Sequence, residues 1–332
     1  MASEKSLRPL FGLPLGVLLA CALAVPAWEL GRLVPIIGAP VFAILLGMAL
    51  SFLRRPAVLE KGIRFSARNI LQYSIIFLGF SLDLRVVLRV GGQSLLVMIF
   101  TLGAAFLTAY LVGKALRLDR NLKILIGVGT SICGGSAIAA AAPVIGADSR
   151  DVTYAISTIF LFNIVAVFLF PALGHLMGMS ADQFGLWAGT AINDTSSVVA
   201  AAFSYGDAAG RYATVVKLTR TLMIIPITLV LAIVRTRTAA GGKVEMVKII
   251  PWFVLGFLAA SLVRSLGVLS DAAGSTLSEA GKFGICIAMA AIGLNANPVK
   301  LMKNGVRPVL LGLSCWAAVA LVSLAVQRAS GL

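Results

Sequence analysis

A chain of 332 residues that is 59% apolar and only 12% charged is not an ordinary soluble domain, which is nearer half apolar and a quarter charged. It reads as an all-α polytopic membrane protein, with room for about eleven spans of ~20 residues and no stretch left for a soluble domain. The net charge of +15 does not call for nucleic acid, since Lys and Arg in short loops set membrane orientation, and the single His175 excludes a multi-histidine metal site.

The N-terminal MASEKSLRPL is short and basic, and the apolar run after it reaches Trp28 without a convincing small-residue cleavage site. That favours a first membrane helix with its N-terminus inside over a signal peptide. Spans are predicted at about 11–28, 36–53, 68–84, 92–113, 122–146, 152–176, 183–204, 209–235, 247–264, 275–296 and 307–327. Approximate halves are 1–176 and 183–332, forming a single transmembrane transporter domain. The most loop-like stretch, 236–246 with Gly241-Gly242, reads as a cytoplasmic connection. Cys21, Cys133, Cys286 and Cys315 all lie inside apolar segments and read as free thiols.

Counting Lys and Arg along eleven spans places eighteen in inner segments and eight in outer ones, which predicts a cytoplasmic N-terminus and an outer C-terminus. The remaining two, Lys217 and Arg220, fall inside span eight. The loop 178–182 carries neither residue type, so spans six and seven are oriented only by their neighbours.

Two internal repeats stand out. Leu78–Asp83, leading to Gly91, resembles Ile292–Asn297, leading to Gly305; the offset of seven spans implies an inverted repeat. The second repeat pairs Gly129–Ala142 with Gly189–Ala202, and seven of the fourteen positions are identical. Each is a small-residue, hydroxyl-rich interruption of an apolar segment, so two of the spans are expected to be broken near mid-membrane, where freed backbone groups must find partners. This echo lies two spans apart and is therefore parallel. Either the seventh span is partly re-entrant, or the likeness is convergent chemistry on Ala-rich helices.

The breaks carry the candidate site. Gly134 and Gly135 let the backbone leave helical geometry, and a half-helix starting near Ser136 would aim free N–H groups at an anion. Thr130 and Ser131 add hydroxyls; simple small-residue helix packing is the bland alternative. In the second break, Asn193, Asp194, Thr195 and Ser196, the ionisable Asp194 lies inside a span, where such groups are functional by default, although it could simply cap the next half-helix. Lys217 and Arg220 are three apart and share a helix face. One carboxylate cannot neutralise two cations, so a positive charge is left for a ligand unless Asp83 or Asp151 also reaches the site. Asn163, Gln72 and Tyr73 are polar residues in apolar runs that equally suit interhelical hydrogen bonding. Asp83 and Asn297 read as interfacial caps.

Thr130–Ile138, Gly189–Ala200, Val216–Arg220 and Met289–Asn295 together resemble the UPF0324 family, whose YeiH-type members are described as sulfate exporters. The resemblance covers nearly the whole chain. It implies a cell-membrane carrier of the sodium/proton-antiporter and bile-acid-carrier structural group, with crossed broken helices. Members of that family often carry His where Asn193 stands, and Asn cannot titrate.

The expected function is therefore secondary transport of a small oxyanion (sulfate, sulfite or a small sulfonate) across the inner membrane by alternating access, with Asp194 as the coupling group. The substrate-binding set is Thr130, Ser131, Gly134, Gly135, Ser136, Asn193, Asp194, Thr195, Ser196, Lys217 and Arg220. No cofactor, metal, nucleic acid or catalytic residue is expected; the partners are the anion and the bilayer, and a homodimer is compatible with the chain. A sodium- or proton-coupled antiporter or an organic-anion carrier is the alternative. An anion channel is disfavoured by the small number of polar intramembrane residues.

Overall fold

The computed structural model describes residues 4–34, 37–53, 55–227, 230–231, 252–296 and 305–332. The predicted connection at 236–246, the end of span eight, and Asn297 lie outside the described residues. Among the described residues every regular element is helical, as the composition demanded. In chain order the helices are α1 (Glu4–Leu33), α2 (Ala39–Leu50), α3 (Glu60–Phe65), α4 (Leu71–Gly79), α5 (Leu84–Ala115), α6 (Arg120–Ser131), α7 (Gly135–Ile145) and α8 (Ser149–Leu176). They continue with α9 (Ala181–Ala191), α10 (Thr195–Tyr205), α11 (Asp207–Leu222), α12 (Trp252–Ser265), α13 (Asp271–Asn295) and α14 (Val306–Ser330). A π-helical segment, Ser66–Ile70, joins α3 to α4.

Among the described residues, five helices contain segments long and apolar enough to cross a membrane: Leu13–Leu33, Leu84–Ala115, Arg150–Leu176, Asp271–Asn295 and Val306–Ser330. Their outward faces are apolar: Leu88, Ile99 and Leu107 of α5 and Leu321 of α14 are each more than half exposed. Large apolar side chains turned outward along whole helices are what a hydrocarbon solvent permits and water does not.

The helices divide into two compact units, each drawing on both ends of the chain. One holds residues 1–87, 199–207 and 252–297; the other holds 88–198, 208–251 and 298–332. In the first unit, α13 packs against α1, α2 and α4. The backbones approach closely where side chains are missing. A Cβ on Gly47 would lie 2.3 Å from the Ala290 carbonyl oxygen, and one on Gly293 would lie 2.3 Å from that of Ile44. Gly16 and Gly62 form the equivalent contact between α1 and α3. Position 274 of α13 lies against Phe80, 281 against Ser74 and Phe77, and 284 against Ser74 and Ile70. Helices α4 and α13 therefore run antiparallel. The two repeated stretches at their C-terminal ends, near Gly79 and Gly293, thus point opposite ways, the sense of an inverted repeat.

The second unit contains both predicted breaks, at the residues expected: 132–134 between α6 and α7, and 192–194 between α9 and α10. The structure adds their direction. Position 129 of α6 packs against Ile159, and position 134 against Ile159 and Asn163, so α6 runs parallel to α8. Leu118 and Leu122 share one apolar cluster with Ala142, Ile145, Ala147 and Val152. Asp119, before α6, acts electrostatically on Arg150 and Asp151 at the start of α8. A continuous span of 25 residues would hold those charges roughly 35 Å apart. Helix α7 therefore returns to the side from which α6 entered, and the pair is a re-entrant hairpin.

The second break behaves alike. Phe170 stacks on Trp187 at 4.2 Å between ring centroids, and α9 leads back along α8. Gly185 packs against Ala209 and Tyr212, and Gly189 against Ala213 and Val216, so α9 and α11 are parallel. The chain must then reverse direction between the end of α9 and the start of α11. Caps fix these turns: Asp148 accepts from the Asp151 amide at 2.7 Å, and Ser180 and Gln183 form a capping box before α9.

Because α6 runs with α8 and α9 runs against it, the two hairpins enter from opposite ends of α8, and their tips meet beside Asn163 near its middle. Where the family resemblance implied crossed broken helices, both breaks turn back as opposed hairpins. The parallel sense read from the echo was an artefact of counting each hairpin as a crossing. Of the two explanations open at the sequence level, re-entrance is the one that fits.

Candidate functional site

The site is built from ends of helices. Helices α6 and α9 are 12 and 11 residues long, so each reaches about 16–18 Å, roughly half of a bilayer's hydrocarbon core. Both finish where the chain turns, leaving their last carbonyls without helical partners. At the first tip Gly134 takes φ 71°, ψ −126°, a conformation a side chain resists. Gly134→Ala should cost about 1–3 kcal/mol through this backbone strain, with Ile159 only 3.3 Å from the added carbon. A lowered melting temperature of the purified variant checks it.

Lys217 and Arg220 of α11 both have 0% exposure. The Lys217 ammonium donates to the carbonyls of Ile132 at 2.8 Å and Ile192 at 3.0 Å, and also to that of Asn193. The Arg220 guanidinium donates from Nε to the Ser131 carbonyl at 2.7 Å, from one terminal nitrogen to Ile192 at 3.3 Å, and from the other to Thr130. The three-residue spacing thus puts both cations at one point between the tips, where they hold the carboxyl ends of α6 and α9 together. Two helix C-termini carry roughly one negative charge between them, and the cations answer it directly.

Asp194 sits on the other side of the break. Its carboxylate accepts from the Ser196 amide at 2.9 Å and from the Ser196 hydroxyl, capping α10, while its own amide donates to Asn163 Oδ1 at 3.3 Å. It is partly exposed, and a Cβ added at position 134 of the opposite tip would lie 3.7 Å from its Cβ. Among the described residues no ion pair joins Asp194 to Lys217 or Arg220. Of the two partners considered for the cations, Asp194 and a bound anion, Asp194 makes no ion pair with them: the cations sit on the two carboxyl ends and the carboxylate at the amino end of α10. At the start of α7, Gly135 is half-buried and Ser136 exposed, with open space around position 135.

The structure therefore brings Thr130, Ser131, Gly134, Asn193, Asp194, Ser196, Lys217 and Arg220 into one locus; Gly135, Ser136 and Thr195 adjoin it as the first residues of α7 and α10. Asn163, which the sequence left ambiguous, belongs with them. Gln72, Tyr73 and Asp83 lie in the other unit, and Asp151 lies at the entry end of the first hairpin. Nothing in the residue types signals the backbone carbonyls of Ile132 and Ile192, whose role comes from position alone.

Two polar groups here stand out. The Asn193 side chain is 1% exposed, yet neither Oδ1 nor Nδ2 has a hydrogen-bond partner; the Thr130 hydroxyl, 0% exposed, has none either. Buried polar atoms are nearly always paired, so water or a ligand is needed to complete these. Formal charges sum simply: Lys217 and Arg220 against Asp194 leave one positive charge, and the two carboxyl and two amino helix ends, at about half a charge each, cancel.

The family model described as Conserved hypothetical protein 698 matches residues 15–312. A UPF0324 membrane protein of Streptococcus pyogenes serotype M3 is 52% identical over 331 residues, spanning 96% of this chain and 97% of that protein. One from Streptococcus agalactiae serotype V is 48% identical over 327 residues, 95% and 97% of the two chains. One from Fusobacterium nucleatum is 41% identical over 339 residues, 96% and 98%. With a family model matching most of its length and relatives this similar end to end, the chain belongs to the UPF0324 family of membrane proteins.

Proposed function

We propose that the protein is a secondary carrier that moves a small oxyanion across the cell membrane by alternating access. The observation that carries this reading is the residual positive charge at two opposed hairpin tips. Breaks near the middle of the bilayer are where such carriers hold their substrates, with helix amino ends turned toward anions. The opposed hairpins also improve the charge asymmetry of the loops. Treating each hairpin as returning to its own side moves Arg150 from the outer group to the inner one, giving nineteen against seven, and places the uncharged 178–182 loop outside. This supports a cytoplasmic N-terminus and an outer C-terminus. Asp194, partly exposed and titratable, is the group through which a proton gradient would act.

The sodium-coupled alternative is weaker for a specific reason. A sodium ion at this locus would need the tip carbonyls, and Lys217 and Arg220 already occupy those of Thr130, Ser131, Ile132, Ile192 and Asn193.

The test is flux of labelled sulfite or sulfate into proteoliposomes, with and without an imposed pH gradient. Uptake above that of protein-free vesicles is expected, and its absence for every small oxyanion overturns the reading. Asp194→Asn keeps a good capping residue, so the fold should change by less than about 1 kcal/mol. Loss of the pH-gradient dependence at retained melting temperature would support Asp194 as the coupling group, whereas dependence equal to wild type removes it from that role.

A further inference from the structure

From the unpaired Asn193 carboxamide and Thr130 hydroxyl, we propose that the anion this site selects is a monoanion that still carries its own hydrogen-bond donor. Such an ion is a half-neutralised acid of the hydrogensulfite, hydrogencarbonate or dihydrogenphosphate kind, as opposed to a bare dianion. This rests on the anion-carrier reading and narrows its substrate class.

Three observations converge on it. The first is charge. Lys217, Arg220 and Asp194 leave a single positive charge, which one negative charge balances and two would overshoot.

The second is the kind of group left unsatisfied. A carboxamide presents an acceptor and two donors whichever way round it lies. Asn193 is 1% exposed and uses neither side-chain atom. A fully ionised oxyanion only accepts, so it would serve Nδ2 and leave Oδ1 bare. A ligand with an O–H beside its charged oxygens serves both. The Thr130 hydroxyl, also buried and unpaired, can donate to the ion's charged oxygens or accept from its O–H, so it suits such a ligand without demanding it.

The third is place. The backbone carbonyls of these same residues are bound by the two cations, Thr130 by Arg220 and Asn193 by Lys217, so both residues that carry an orphaned group are anchored in the charged cluster. Asp194, the next residue in the chain, is partly exposed and caps α10, so the amino end of that helix begins beside the carboxamide. The residues with orphaned side chains and the helix end thus share one region of the fold. A site built to hydrogen-bond an O–H discriminates strongly against an analogue without it, because the site's own buried group is left unpaired.

The experiment uses the full chain in proteoliposomes and compares anions by their ability to compete for uptake. Hydrogensulfite and hydrogencarbonate carry one charge and a donor; methanesulfonate and nitrate carry one charge and no donor; sulfate carries two charges and no donor. The expected result is that the donor-bearing ions compete at concentrations roughly tenfold to a hundredfold lower than the others. Asn193→Leu, close in volume and apolar, should shrink that gap to a few fold. If anions are transported but nitrate and methanesulfonate compete as well as hydrogensulfite, the inference falls while the carrier reading stands; the carboxamide is then served by water. A preference for sulfate overturns it equally. If no anion competes and none is moved, it is the carrier reading that fails. The ranking in the wild-type protein decides the matter even if the Leu variant does not fold.

Discussion

Replacing Lys217 by Met is expected to leave a protein that no longer holds its two tips together. The substitution keeps the length of the side chain and removes the ammonium. It strands the carbonyls of Ile132 and Asn193 and leaves that of Ile192 with Arg220 alone, in a fully buried setting. An unsatisfied buried acceptor costs about 1–3 kcal/mol, and these three lose a charged donor at once. The total is a loss of several kcal/mol, comparable to the whole stability of many domains. Arg220→Met should be of similar size, since three further bonds end on its guanidinium. The measurement is the melting temperature in detergent, together with protease accessibility of the two hairpins. A Lys217→Met protein that melts with the wild type would refute the structural role of this cation. It follows that loss of transport in either variant says little about substrate contact, and Asp194, Ser136 and Asn193 are the informative positions for that.

The second large effect is expected where no charge is involved. Gly293→Val should separate α13 from α2. Its Cβ alone would sit 2.3 Å from the Ile44 carbonyl oxygen and 3.0 Å from the Gly47 Cα, and both are backbone atoms that cannot rotate away. Helix association in a membrane depends on such close backbone approach, because lipid offers no hydrophobic drive between helices. Overpacking of this kind commonly costs 1–3 kcal/mol, and a branched side chain against backbone should reach about the upper end. Gly103→Val is the control: nothing lies within 4 Å of the position, so its melting temperature should stay near wild type. Equal destabilisation by both would show that helix propensity, and not close approach, sets the cost.

The parts of this molecule that the sequence displays are those written in composition and in exceptional residues. Apolar runs give the helices. Gly134-Gly135 and Asn193-Asp194 mark the breaks because such residues are costly inside a span without a reason. Lys217 and Arg220 attract notice for the same cause. What the linear pattern hides is direction. A hairpin of two eleven-residue helices and one broken span of twenty-five residues have the same hydropathy. Only contacts such as Gly129 with Ile159, or Gly185 with Tyr212, tell a return from a crossing. The acceptors for the two cations were hidden as well, since a backbone carbonyl has no letter of its own. Side-chain charges alone therefore pair Lys217 and Arg220 with the carboxylate and a ligand.

The clamp at the tips has a bearing on how the protein is made. Lys217 and Arg220 lie 85 to 90 residues beyond the carbonyls they bind in the first hairpin. At ordinary synthesis rates of about 5–20 residues per second, that hairpin waits roughly 4–18 s after its translation before its partners emerge. During that interval its tip carries bare carbonyls that hydrocarbon cannot solvate. We expect it to stay at the membrane surface or inside the insertion machinery until α11 arrives, then to enter together with the second hairpin. A nascent chain truncated after residue 205 should accordingly leave 120–145 open to protease, and one extended past α11 should protect it.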